Sequence, residues 1–118
     1  MGLRKTAIIS GFSMLPSLKE GDIVFYKIFK EGKSAPKPGQ IVIFNHPLKN
    51  TICIKRIIVV NQNNIGVQGD NIEFSEDSNK FGLLSNGKII GIVTSKLITP
   101  KLKDFLIQKN KRTSLNPK

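Results

Sequence analysis

The chain has 118 residues and a mass of 13.1 kDa, with 39% hydrophobic and 23% charged residues, which suits one globular core. One cysteine, Cys53, excludes a disulfide framework, and with one histidine, His46, too few soft ligands remain for a structural zinc site. Nineteen Lys and Arg against eight Asp and Glu give +11, a balance that raises nucleic acid or an anionic membrane surface as a partner.

In chain order, the N-terminus starts with a basic head, but its apolar stretch stops at Ile9. That is shorter than the roughly 7–15 residues of a signal-peptide core. Gly2 and Thr6 fit a myristoylation pattern so short that it often matches by chance. No apolar run exceeds four residues, so nothing here spans a bilayer as a helix. The expectation is a soluble, cytoplasmic protein without a transmembrane anchor.

β-branched and aromatic residues predict a strand over 23–29, opened by the turn pair Gly21-Asp22. Residues 30–39, with Gly32, Pro36 and Pro38, read as a loop. Further strands are expected over 40–44, 51–60, 65–68 and 88–97, with a turn at 61–64 and an irregular polar stretch at 69–82. Strands at this spacing without intervening helices predict a mainly β fold, a compact antiparallel domain or half-closed barrel. Beyond Pro100, Leu102, Phe105 and Leu106 make one apolar stripe on a short basic helix. Residues 1–98 therefore read as the folded domain and 99–118 as a basic helix and tail.

The charge is concentrated in that tail. Residues 96–118 hold seven cations and one acid, Asp104, or six of the eleven net charges. Such a tail suits docking on the body or a weak peripheral contact with anionic lipid. Sixteen of the nineteen cations are Lys, whereas readers of base edges favour Arg, so no specific nucleic-acid partner is expected.

Two residue types could carry chemistry. Ser13 lies in Gly11-Phe12-Ser13-Met14-Leu15-Pro16, where Gly11 permits tight geometry and Pro16 prevents a helix. Spacing alone fits an ordinary turn serine equally well. A catalytic serine needs a base. His46, before Pro47, reads as a turn histidine without catalytic duty. The other candidate is a lysine made neutral by burial.

Lys55 stands in Ile52-Cys53-Ile54-Lys55-Arg56-Ile57-Ile58, the most apolar strand of the chain. Alternation puts Cys53 and Ile57 on its face and Arg56 on the other. A strand lysine snorkelling outward would have the same pattern. In the polar loop, Glu73, Glu76 and Asp77 lack calcium-loop spacing, so no metal and no cofactor are expected.

Taken in order, these segments resemble the signal peptidase I family of Ser–Lys serine endopeptidases. Ser13-Met14-Leu15-Pro16-Ser17-Leu18-Lys19-Glu20-Gly21-Asp22 is similar to its nucleophile box. Gly39-Gln40-Ile41-Val42-Ile43-Phe44 resembles the next strand box, with Gln40 where Asp is common. Lys55-Arg56-Ile57-Ile58 resembles the lysine box. Gly69-Asp70-Asn71, followed by Ser75, Asp77 and Ser78, resembles the last.

The resemblance implies a mainly β catalytic core, Ser13 as nucleophile and Lys55 as its base. It also implies Ser75 orienting the amine, Asp77 and Ser78 bracing the loop, and the Ser13 N–H as an oxyanion donor. Two further positions depart from the family. Gly11 replaces a serine that donates to the oxyanion in many members, and Asn79 replaces an Arg after the Asp-Ser pair.

Within the family the short chain is most similar to soluble proteases that mature nickel-type superoxide dismutase. The expected substrate is thus the dismutase proform, cut at an N-terminal propeptide. Signal-peptidase-like processing of other precursors is the alternative. A self-cleaving repressor module would need a segment upstream of Ser13, where only twelve residues stand. A non-enzymatic basic β module binding nucleic acid would leave the four boxes unexplained.

Overall fold

The computed structural model describes residues 4–71 and 81–97. Its seven strands are β1 (Arg4–Ile8), β2 (Ile23–Ile28), β3 (Ile41–Asn45), β4 (Ile52–Asn61), β5 (Asn64–Gln68), β6 (Leu84–Ser85) and β7 (Ile89–Lys96). They form one antiparallel sheet in the order β1-β2-β7-β3-β4-β5-β6, curled into a half-barrel. The mainly β expectation holds, and the five expected strands lie within a residue or two of their anticipated ends.

Two strands and one turn escaped the sequence reading. β1, Arg-Lys-Thr-Ala-Ile, is mostly exposed and carries two cations. It becomes a strand by pairing with β2, Arg4 opposite Lys27 through Ile8 opposite Ile23. β6 is two residues long and pairs Ile65 with Leu84; a 3-10 turn over Asn86–Lys88 follows it. The expected C-terminal helix and the stretch 72–80 lie outside the described residues, as do Ser75, Asp77, Ser78 and Asn79.

Alternation in the central strands supplies two cores. Val42, Phe44, Ile57, Ile65, Val67, Leu84 and Ile89 form one, with Cys53 packed against it. Ile9, Met14, Leu18 and Val24 form the other, against Ile41, Ile54 and Val93. The β3–β4 hairpin therefore has apolar residues on both faces, which explains its nearly continuous apolar sequence. Strand β7, inserted between β2 and β3, joins the N-terminal hairpin to the β3-to-β6 meander. Among the described residues no helix is long and apolar enough to cross a membrane.

Candidate active site

The loop carrying Ser13 is tied at its ends and pinned from below. Ile9 donates to the Asp22 carbonyl and Gly21 to the Ile9 carbonyl, both at 2.8 Å, closing residues 10–21 into a loop. Met14 and Leu18, one helical turn apart, are 1% and 3% exposed and anchor that loop in the second core. The Leu18 N–H donates to the Met14 carbonyl at 2.9 Å, and the Leu15–Pro16 peptide is cis. The buried Asp22 carboxylate accepts from the Lys19 N–H at 2.9 Å, and Lys96 Nζ donates to the Ser17 carbonyl at 3.1 Å. Ser13, half-buried, follows directly on the exposed Phe12.

Lys55 is buried, at 6% exposure. The outward-snorkelling alternative is thereby removed: alternation places it with Cys53 and Ile57, opposite the fully buried Val42 of β3. Strand β5 pairs with β4 only from Arg56 onward. Among the described residues, the segment Ile52–Ile54 thus has a strand partner on the β3 side alone.

Arg56 points to the other face and is the hub of the site. Its Nε and Nη2 donate to Asp70 Oδ1 and Oδ2 at 2.9 and 2.8 Å, a bidentate pair. Nη1 donates to the Gly39 carbonyl at 2.8 Å, and Nη2 also reaches Ser17 Oγ at 3.3 Å. The Ser17 hydroxyl in turn donates to Asp70 Oδ2. Hydrogen bonding to Arg56, reinforced by Ser17 and by the Arg56 charge, holds the Asp70 carboxyl below its ordinary value of 3.8 against the opposing effect of burial. The same bond raises the Arg56 guanidinium pKa.

One residue further on, Asn71 closes on the serine loop. Its N–H donates to the Ser13 carbonyl at 2.8 Å and its Nδ2 to the Phe12 carbonyl at 3.1 Å. Asp70 and Asn71 together bridge the lysine strand and the serine turn. Sequence reasoning singled out Gly69-Asp70-Asn71 but missed both partners, along with Ser17. The available signal was an arginine on an apolar strand and a lone Asp just past the end of β5.

His46 is 6% exposed and its ring lies against Phe81, with centroids 4.9 Å apart. Its Nδ1 accepts from the N–H groups of Leu48 and Lys49 at 3.0 and 3.1 Å, so it serves the β3–β4 turn. The Gly11 N–H donates to Glu20 Oε1 at 3.1 Å, and glycine offers no side-chain donor beside Ser13.

The molecule is thus a curled antiparallel half-barrel whose serine loop is bridged to a strand that buries a lysine. The model of the family "Signal peptidase, peptidase S26" matches residues 1–65, a stretch that includes both Ser13 and Lys55. The chain belongs to this family of serine peptidases. It is 36% identical over 80 residues to signal peptidase IB of Staphylococcus aureus strain N315, covering 68% of this chain and 36% of that protein. It is 30% identical over 86 residues to signal peptidase I of Buchnera aphidicola subsp. Schizaphis graminum, covering 63% of this chain and 25% of that protein. The chain thus spans between a quarter and about a third of the length of these curated relatives.

Proposed function

We propose that the chain carries the Ser–Lys centre of an endopeptidase that removes N-terminal segments from precursor proteins. The observation that supports this most directly is the burial of Lys55 on the strand that Asp70 and Asn71 tie to the Ser13 loop. In this reading Ser13 Oγ attacks the scissile carbonyl carbon while neutral Lys55 Nζ takes the hydroxyl proton. Burial favours the neutral amine, since the charged form loses more hydration.

The lysine then passes its proton to the leaving amine, and an acyl group remains on Ser13. Water attacks that ester with Lys55 again acting as base, releasing the new carboxylate and restoring both residues. The Ser13 N–H stabilises the oxyanion, a donor type that contributes about 10²–10³ in rate. The resemblance assigns Ser75 to orienting the amine and Asp77 and Ser78 to bracing its loop, positions outside the described residues. A substrate in extended form can lie along the edge of β4 at Ile52–Ile54, which among the described residues has a strand partner on the β3 side alone.

Signal-peptidase-like cleavage of a leader is the substrate reading that the relatives' names favour. The narrower expectation, the proform of nickel-type superoxide dismutase, enters the same test as a second precursor. Purified protein is incubated with each precursor and the new N-terminus read by mass spectrometry. One defined cut is expected, abolished by Ser13→Ala and by Lys55→Met while the circular dichroism spectrum is retained. Undiminished cutting by either variant overturns the assignment. Activity should also climb as pH rises from 6 to 9, because the base must be unprotonated (a window around the roughly 7–8 of a tuned lysine).

A further inference from the structure

A second site lies between β2, β7 and the loop that leads into β3. A cleft of about 320 Å³ is lined there by Lys27, Ser34, Lys37, Gln40, Ile92 and Thr94, with Ile28 and Phe29 adding apolar wall. That volume is at the small end of ligand pockets. We infer that this cleft binds the phosphate group of a small phosphate ester, its apolar wall receiving part of the ester's body.

Arg4 is the direct cross-strand partner of Lys27, so two like charges share one face of the sheet. Such a pair is unfavourable on its own, and a bound anion offsets it. Arg4 also reaches a residue of this wall. Its Nε donates to Thr94 Oγ1 at 3.0 Å, and that hydroxyl donates onward to the Phe25 carbonyl at 3.2 Å.

The opposite wall is a built turn. Pro36 is buried, the Lys37 N–H donates to Gln40 Oε1 at 2.8 Å, and the Gln40 N–H donates to the Lys37 carbonyl at 3.2 Å. With one lone pair of its oxygen so engaged, the Gln40 side chain has its NH2 donors to offer a ligand.

No carboxylate lines the cleft, and among the described residues none pairs with Lys27 or Lys37. Glu31, the acid nearest in sequence, lies within 4 Å of the Cβ position at Gly87 instead. Cations on two walls with hydroxyl and amide donors between them suit the several oxygens of a phosphate ester. The inference does not depend on Ser13 or Lys55.

Two probes distinguish a soluble ester from a lipid headgroup: glycerol 3-phosphate, and vesicles of phosphatidylglycerol compared with phosphatidylcholine. Binding is followed by calorimetry and by the amide resonances of Thr94 and Lys27. The full chain is compared with Lys27→Gln/Lys37→Gln and with Lys49→Gln/Lys88→Gln, a control pair of exposed lysines elsewhere. The cleft pair should weaken binding about twentyfold, each lysine contributing several-fold against an anionic group, while the control pair binds as the parent does. Saturation by glycerol 3-phosphate assigns a soluble ester, and binding to phosphatidylglycerol vesicles alone assigns a lipid. Equal loss in both pairs, or no binding to either probe, overturns the site.

Discussion

Asp70 illustrates how much one side chain can hold. Its carboxylate receives both arms of Arg56 and the Ser17 hydroxyl. Replacing it with Asn should cost about 1–2 kcal/mol at neutral pH, the range for charge-assisted bonds discounted for the partly exposed arginine. Because its folded pKa is lowered, its stabilising contribution is complete above pH 3.8 and lost as pH falls below that value. Urea titrations at pH 7 and pH 3 should therefore show the gap between Asp70→Asn and the parent narrowing at the lower pH. Asn71 acts on position instead. Asn71→Ala removes the bond to the Phe12 carbonyl but keeps the backbone bond to Ser13. It should lower kcat about tenfold, as small misplacements do, with KM and melting temperature nearly unchanged.

At the level of elements, alternation was legible and pairing was not. The period-two pattern correctly put Lys55 with Cys53 and Ile57, since those positions share a face whatever the partner strand is. What buries that face, Val42 across the ladder and the core around Phe44 and Val67, depends on contacts far along the chain. Strand β1 was missed for the same reason: its own residues, Arg4 and Lys5 among them, carry little β signal until β2 supplies the ladder.

Contact between β2 and β7 also explains Gly91. A Cβ there would meet Tyr26 Cδ2 at 2.4 Å and the Lys27 carbonyl at 2.9 Å. Gly91→Ala should destabilise the fold by about 1–3 kcal/mol, the usual range for overpacking. Denaturant midpoints of Gly91→Ala and of Gly91→Ala/Tyr26→Ala should show the double variant losing less than the sum of its parts.

For the whole molecule, sequence order says little about the sheet order β1-β2-β7-β3-β4-β5-β6, because turn residues report only local hairpins. It does give the +11. So much charge of one sign repels itself, and salt screens that repulsion. Melting temperature should rise by a few degrees between about 20 and about 200 mM NaCl, as measured by calorimetry. A fall would mean that the Arg56–Asp70 pair outweighs the self-repulsion.

The bridge built by Asp70 and Asn71 also orders events in time. Ser13 and Lys55 leave the ribosome first, and the two residues that unite their segments emerge only after β5 is made. A nascent chain shorter than that lacks the Asp70 and Asn71 ties between its serine loop and its lysine strand. Completion of the β4–β5 hairpin adds this polar tie to the packing of Met14 and Leu18 against Ile54, and β7 then closes the sheet between β2 and β3.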